Sequence, residues 1–249
     1  MKILSIGNSF SQDAHRYLHE IAKKDGVEVK TVNLYIGGCS LRTHYINMIE
    51  NKKEYSFCLN GFPVGIKVTI AEALCSDDWD IITLQQASHF SGFEDTYSPY
   101  IEALKDYAKK YCPRAKIFIH QTWAYANQEA IIKRGYESDV QMFESLKSCY
   151  EKAVSLVNAN GIIPCGEVMW RALHSGIEKV HRDDLHASKG IGRYMLALTW
   201  YKVLLGGDVT NNDFTDFDEP ILEEERKIAI KTVNEVVKEY YENGICKIR

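Results

Sequence analysis

Apolar and polar positions along this chain follow two different periods. Five short runs of apolar, largely β-branched residues are typical of strands covered on both faces: 3–6, 27–35, 81–84, 116–120 and 162–165. Elsewhere, apolar residues recur at helical spacing in the segments 12–24, 43–52, 66–75, 98–111, 136–158, 187–205 and 219–241. Because strands and helices alternate, the pattern predicts parallel β-α-β units and an α/β fold with a doubly wound sheet.

The chain shows no internal division. Its five prolines are scattered, and no linker, repeat or low-complexity segment separates one part from another. We therefore expect residues 1–249 to form one domain. In a doubly wound fold, ligands bind beyond the carboxyl ends of the parallel strands, so the residues that follow each strand are the candidates for chemistry.

Composition and charge argue against several partners. The formal net charge is −4, and no run of Lys and Arg is longer than two, which disfavours nucleic acid binding. The opening apolar run 3–6 is too short for the core of a signal peptide, and the stretch 194–205 is too short for a membrane span. Seven cysteines form no C-x-x-C pair: Cys39, Cys58, Cys75, Cys112, Cys149, Cys165 and Cys246. The sequence thus predicts a cytoplasmic protein with reduced thiols and no membrane or nucleic acid partner.

The first candidate group is a hydroxyl at a strand-to-helix junction. Ser9 lies in the turn Gly7-Asn8-Ser9-Phe10-Ser11, between the first predicted strand and the predicted helix 12–24. Backbone N–H groups and the positive end of the helix dipole would favour an oxyanion forming beside such a serine. The simpler interpretation is that Ser9 or Ser11 only caps the helix.

A carboxylate and an imidazole lie three residues apart near the other end of the chain. In the segment Asp183-Asp184-Leu185-His186, a single turn would allow Asp183 to orient the ring of His186. This spacing is weak evidence by itself, because it arises by chance in many chains. Together with Ser9, it supplies the nucleophile, the base and the orienting acid of a serine hydrolase.

Candidate oxyanion donors follow the second and third predicted strands. The backbone N–H of Gly38 could donate to an oxyanion, although Gly37 and Gly38 could equally form only a tight turn. Gln85 and Gln86 follow the third strand, and one of these carboxamides could complete the oxyanion hole.

These motifs resemble the SGNH hydrolases, also called the GDSL esterase/lipase superfamily. Gly7-Asn8-Ser9-Phe10 resembles the first block of the family, Gly38 the second and Asp183-Asp184-Leu185-His186 the last, in the family's order over nearly the whole chain. The first block is most similar to a bacterial branch that carries Gly-Asn-Ser-Phe. The resemblance implies a flavodoxin-like, three-layer α/β/α sandwich with a five-stranded parallel sheet, and ester hydrolysis without a cofactor or metal.

The resemblance also implies a role for the matching residues. Ser9 would be the nucleophile, His186 the general base and Asp183 its orienting acid. The backbone N–H groups of Ser9 and Gly38 would bind the oxyanion.

Two blocks of this sequence depart from the family pattern. Asn8 replaces the usual Asp of the first block, and Gln85-Gln86-Ala87 replaces the usual Gly-x-Asn of the third. Since glutamine carries the same amide on a longer stem, we expect Gln86 to be the third oxyanion donor, with Gln85 as the alternative.

Aromatic side chains follow the fourth and fifth predicted strands. Trp123, Tyr125 and Trp170, with His174 nearby, could stack on a sugar ring, and the resemblance then favours a short acyl group such as acetyl on a carbohydrate. The alternative is that these rings are packing residues.

Two other classes of protein remain open from the sequence. A metal-dependent hydrolase could use the cluster His181, Asp183, Asp184 and His186, with His120 and Glu167 at neighbouring strand ends. A non-catalytic, flavodoxin-like module could bind phosphate or a sugar at Ser9, Gly37 and Gly38, although these glycines do not form a dinucleotide or P-loop motif.

Overall fold

A computed structural model describes residues 1–242 and residue 244. Its strands are β1 (Lys2–Gly7), β2 (Lys30–Tyr35), β3 (Tyr55–Leu59), β4 (Phe62–Val68), β5 (Ile81–Leu84), β6 (Lys116–His120) and β7 (Gly161–Ile163). Its helices are α1 (Ser9–Lys24), α2 (Leu41–Ile49), α3 (Ile70–Leu74), α4 (Tyr100–Tyr111), α5 (Gln128–Ile132), α6 (Asp139–Leu156), α7 (Cys165–Leu173), α8 (Ile191–Leu205) and α9 (Glu223–Glu242).

The strands form one mixed sheet in the order β4-β3-β2-β1-β5-β6-β7. Five neighbouring strands are parallel, as predicted: β2, β1, β5, β6 and β7. Strand β3 runs antiparallel to β2, and β4 runs antiparallel to β3. The predicted five-stranded, all-parallel sheet is therefore wrong. The apolar runs in the sequence predict the five parallel strands, and the hairpin of β3 and β4 extends the sheet beyond β2.

The hairpin has a local cause in the sequence. Asn60 and Gly61 join β3 to β4 with positive φ angles of 48° and 84°, which suit the tight turn that connects twisted antiparallel strands. The predicted helix 66–75 is consequently wrong at its start, because residues up to Val68 belong to β4 and only Ile70–Leu74 are helical. Strand β4 lies at the edge of the sheet and is largely exposed. Its apolar residues Phe62, Val64 and Ile66 alternate with other residue types and do not form the continuous apolar run of a covered strand.

The helices cover the sheet in two packed groups. Helix α8 contacts α1, α7 and α9, while α2 contacts α3 and α4. Nearly all of α8 is buried, which explains its apolar sequence, and one continuous apolar core runs through the sheet and both helix groups. The sheet thus carries the ends of β1, β5 and β6 to one edge, as the doubly wound pattern predicts.

Some helix boundaries differ from the sequence pattern. Helix α8 begins at Ile191 rather than near Ala187, because Ala187 pairs with His181 in an antiparallel bridge. Helices α5 and α7 are absent from the prediction. Pro164 ends β7 and precedes α7, since proline cannot donate to a strand ladder but suits the start of a helix.

Two further expectations concern the surface and the thiols. Within residues 1–242 and 244, no helix has both the length and the apolar character needed to cross a bilayer. The six cysteines in this range are free thiols, and Cys246 lies outside the described residues.

Candidate active site

Helix α1 begins immediately after β1 and places Ser9 at its first residue. Asn8 is the N-cap: its side-chain oxygen accepts from the backbone N–H of Phe10 at 3.0 Å. The hydroxyl of Ser11 completes a capping box by accepting from the backbone N–H of Asn8 at 3.1 Å. Ser9 is therefore neither in a turn nor the cap. Its half-buried hydroxyl is left for another partner.

That partner is the loop that contains His186. The Nε2 atom of His186 lies 3.0 Å from the hydroxyl oxygen of Ser9, and its Nδ1 atom lies 2.9 Å from Oδ2 of Asp183. The structure thus brings together the three residues that the sequence singles out as nucleophile, base and acid, in one hydrogen-bonded chain. Because Nδ1 faces a carboxylate, it carries the proton, which leaves Nε2 as an acceptor toward Ser9.

The carboxylate of Asp183 is also held by the backbone of its own loop. Oδ1 accepts from the backbone N–H of His186 at 2.7 Å and of Leu185 at 3.0 Å. Partial burial raises the pKa of Asp183, but these two N–H groups and the His186 ring outweigh it and lower the pKa to about 2. Asp183 is consequently ionised at neutral pH.

Neighbouring loops fix the position of this segment. The backbone N–H of Ala126 donates to the carbonyl of Asp184 at 2.9 Å, and the indole N–H of Trp123 donates to the carbonyl of Leu185 at 2.8 Å. A ring nitrogen of His181 lies 3.0 Å from the carbonyl of Ala124. The loop after β6 therefore supports the segment on both sides of Asp183.

The Gly37–Gly38 turn lies against the start of α1. Gly38 has φ of +63° and is exposed, and the amide of Asn8 donates to the carbonyl of Cys39 at 3.1 Å, which ties the turn to the helix cap. Within the described chain, the backbone N–H groups of Ser9 and Gly38 make no hydrogen bond. Neither N–H group is therefore occupied by another part of the described chain. The side chain of Asn8 joins the start of α1 to the Gly37–Gly38 turn, a role that the sequence does not predict.

The two glutamines differ in what they offer. The amide nitrogen of Gln86 donates to the carbonyl and the hydroxyl of Thr96, at 2.9 and 3.1 Å, while its oxygen accepts from the backbone N–H of Leu41 and Ala87. Both N–H groups are thus engaged, so the structure does not support Gln86 as the favoured oxyanion donor. Its bonds instead connect the loop after β5 to the start of α2.

Gln85 is connected to the cap of α1. Its amide nitrogen donates to the side-chain oxygen of Asn8 at 2.8 Å, and its oxygen lies 2.9 Å from Nδ1 of His120. This arrangement uses one of the two N–H groups of the buried Gln85 side chain. Burial lowers the pKa of His120 to about 3, so the ring is neutral and donates from Nδ1.

The predicted aromatic platform does not form. Trp123 is completely buried and stacks against Phe10 with ring centroids 4.2 Å apart, and Tyr125 is 4% exposed, with its hydroxyl 2.9 Å from that of Ser88. Trp170 stacks on Phe143 at 4.6 Å. The packing alternative describes Trp123 and Tyr125, which are buried, whereas Trp170 is half-buried and contacts the rings of Phe143 and His174.

The residues of the metal hypothesis point in different directions. His120 is buried against Gln85, Glu167 pairs with Lys147 and Arg171, and His181 faces a backbone carbonyl. Across residues 1–242 and 244, no three His, Cys, Asp or Glu side chains converge as metal ligands would. The arrangement does not support a metal-dependent hydrolase.

Comparison with solved structures defines the class of this fold. It is the fold of the SGNH/GDSL hydrolases, which are hydrolases of the esterase and lipase type. A protein from Slackia heliotrinireducens assigned to the SGNH hydrolases superposes with a TM-score of 0.58 at 22% identity, over 81% of this chain and 97% of that one. The psychrotrophic esterase EstA from a Pseudoalteromonas species superposes with a TM-score of 0.55 at 11% identity, over 82% and 97%.

The family is narrower than this class. The model of a domain of unknown function, DUF4886, matches residues 2–232, and the chain belongs to this family. A DUF4886 family protein of known structure from Bacteroides uniformis is 34% identical, with a TM-score of 0.87 over 96% of this chain and 95% of that one. A search of curated proteins finds no match.

Proposed function

We propose that this protein is a serine esterase that hydrolyses short-chain esters through Ser9, His186 and Asp183. The observation that carries the proposal is the continuous hydrogen-bonded chain from Asp183 through His186 to Ser9, located at the N-terminus of α1. The fold supports the same class of reaction.

The geometry indicates a path for each proton in the proposed reaction. As Oγ of Ser9 attacks an ester carbonyl, its proton passes to Nε2 of His186, and Asp183 stabilises the resulting imidazolium. The C–O bond to the alcohol then breaks, and the alcohol leaves with the proton from Nε2. Water attacks the acyl-enzyme, gives its proton to Nε2, and the carboxylic acid departs as Oγ of Ser9 is protonated again.

The tetrahedral oxyanion would lie between α1 and the Gly37–Gly38 turn. The backbone N–H groups of Ser9 and Gly38 are its donors, helped by the positive end of the helix dipole. We assign the third donor to the second N–H of Gln85 rather than to Gln86, because both N–H groups of Gln86 bind Thr96. Each such donor is typically worth about 3–4 kcal/mol in the transition state.

The surroundings of Ser9 determine where the acyl group would lie. Ser9 is only half-buried, and the Gly37–Gly38 turn beside it is exposed, so the acyl group lies near the surface. An acetyl ester remains our choice of substrate. A carbohydrate on the alcohol side loses its support from Trp123 and Tyr125, which are buried.

The test compares two serines on the same helix turn. Wild-type protein should hydrolyse 4-nitrophenyl acetate without added metal, and Ser9→Ala should abolish nearly all turnover. Ser11→Ala is the matched control, because it removes a buried capping hydroxyl, at a cost of about 1–3 kcal/mol of stability from the polar groups left unpaired, but leaves the nucleophile. An organophosphonate should label wild-type protein once, at Ser9.

Three outcomes would contradict the proposal. Turnover that disappears on exhaustive chelation would favour the metal-dependent hydrolase. A wild-type protein that neither turns over esters nor reacts with the organophosphonate would favour the binding module. Equal loss of activity in Ser9→Ala and Ser11→Ala would show that the hydroxyl of Ser9 has no special role.

A further inference from the structure

A buried carboxylate lies one helical turn beyond Ser9. Asp13 is 1% exposed, and its oxygens accept from Nη1 of Arg182 at 2.8 and 3.0 Å and from Nε of Arg193 at 2.8 Å. Residues four positions apart lie on the same face of a helix, so Asp13 and Ser9 face the same side. A carboxylate in such a position is costly to bury unless its charge is matched, and here two arginines match it.

Arg182 is the residue immediately before Asp183. Its backbone N–H donates to the carbonyl of His186 at 2.9 Å, and its Nη1 also donates to the carbonyl of Ala187. Its Nε atom lies 3.9 Å from Oδ2 of Asp183, the oxygen that faces the His186 ring. The guanidinium of Arg182 therefore lies between two carboxylates, and Asp13 binds it at the shorter distance.

This arrangement has two consequences. It fastens the loop of His186 to the helix that carries Ser9, so it sets the separation of Oγ and Nε2. It also directs Nη1 of Arg182 to Asp13, so that Asp183 has only the longer contact with Nε, at 3.9 Å. Without Asp13, the guanidinium would be free to pair with Asp183 and compete with the His186 ring for it.

We propose that Asp13 and Arg182 are positioning residues for the Ser9 site: Asp13 holds the guanidinium of Arg182 so that it does not displace the His186 ring from Asp183. This inference rests on the proposed esterase function and deepens it. Arg182 belongs to none of the motifs that the sequence analysis identified.

The titratable and charged groups around His186 come from four elements. Its own loop contributes His181, Arg182 and Asp183, with the exposed Asp184 beside them. Helix α1 contributes Asp13, helix α8 contributes Arg193 bound to Asp13, and the loop after β6 contributes Tyr125. Burial lowers the pKa of His181, which therefore stays neutral near pH 7, and Tyr125 faces Ser88. The charges that the variants below alter are those of Arg182 and of Asp13, the carboxylate that binds its guanidinium.

The experiment measures the pH dependence of ester hydrolysis in charge-altering variants. Asp13→Asn removes the negative charge that balances Arg182, which disfavours the imidazolium, so the acid limb of kcat/KM should move to lower pH by roughly half a unit. Arg182→Gln removes the positive charge beside Asp183, so the limb should move to higher pH. Loss of positioning should lower kcat in both variants by on the order of 10²-fold, with a smaller change in KM.

Asp218→Asn is the matched control. Asp218 also forms ion pairs with arginines, accepting from Arg193 at 2.7 Å and from Arg16, but it does not contact Arg182. This variant should lose stability and keep the wild-type pH profile. Opposite shifts in Asp13→Asn and Arg182→Gln, with no shift in Asp218→Asn, are a result that general destabilisation cannot produce.

Several outcomes would overturn the inference. Unchanged kcat and an unchanged acid limb in Asp13→Asn would do so, as would equal shifts in Asp13→Asn and Asp218→Asn. If Asp13→Asn fails to fold, Arg182→Gln and Arg182→Lys still test the inference, because the lysine variant should keep the acid limb closer to its wild-type position. Wild-type protein without Ser9-dependent turnover would instead refute the esterase function, and NMR titration of the His186 ring would then test the charge arrangement alone.

Discussion

The change from Asp183 to Asn tests the orientation of the imidazole most directly. Oδ1 of Asp183 accepts two backbone N–H groups and lies 3.1 Å from Nδ1 of His186, whereas Oδ2 is the oxygen nearest to Nδ1, at 2.9 Å. An asparagine would keep its oxygen on the backbone N–H groups and so place its NH₂ group against Nδ1. Two donors cannot face each other, so the ring would carry its proton on Nε2, where it can no longer accept the proton of Ser9.

The expected loss of activity follows from this change of tautomer. In the serine protease where the same substitution was measured, kcat falls by about 10⁴, which corresponds to about 5 kcal/mol at 1.36 kcal/mol per tenfold. The free energy of unfolding should fall by much less than this. The side chain of Asp183 is 48% exposed, and an ion pair with this much solvent contributes at most about 1 kcal/mol.

The assay is steady-state hydrolysis of 4-nitrophenyl acetate, with thermal unfolding measured alongside. Asp184→Asn is the control, because Asp184 is exposed and contacts the loop after β6 through its backbone carbonyl rather than its carboxylate. It should stay close to wild type in both measurements. If Asp184→Asn proves the more damaging change, or if Asp183→Asn retains wild-type turnover, the assigned roles are wrong.

Three further measurements test other parts of the structure. Trp123→Phe removes the indole donor to the carbonyl of Leu185 and should lower kcat; a rise in KM confined to sugar esters would instead indicate sugar stacking. Gly38→Ala places a side chain at a φ of +63° and should lower kcat by on the order of 10², because it displaces the backbone N–H that would bind the oxyanion. Gly26→Ala is the control: Gly26 has a φ of +70° after α1, so this variant should show only the backbone strain, about 1 kcal/mol in thermal unfolding. Burial lowers the pKa of three histidines to about 3: His15, His44 and His120. Between pH 6.5 and 3 only the unfolded chain binds protons at these rings, so the free energy of unfolding should fall across that range in urea titrations, and a flat profile would contradict their burial as neutral groups.

The sequence by itself determined the parallel strands and the residues at their ends. Apolar runs mark strands covered on both faces, and this property is local, so the segments 81–84 and 116–120 were predicted with their observed limits. The Asp183 to His186 contact was also predictable, since a three-residue spacing joins both side chains within one turn. The sequence pattern does not predict the hairpin of β3 and β4, although Asn60-Gly61 is its local signal, because the apolar residues of the exposed edge strand β4 alternate and do not form a continuous run.

Only the tertiary structure decided how these local pieces combine. The bond between His186 and Ser9 spans 177 residues, and the bond between Arg182 and Asp13 spans 169. No local pattern encodes such pairs, because they depend on the order of the strands in the sheet.

The same reason explains the errors at the glutamines and the aromatic rings. Gln86 looks like a free donor in the sequence, but the fold brings Thr96 to both of its N–H groups. Trp123 looks like a ligand platform, but packing against Phe10 covers it. The type of residue at a strand end follows from the sequence, whereas the partner that occupies its hydrogen bonds or covers its surface is set by distant parts of the chain that the fold brings into contact.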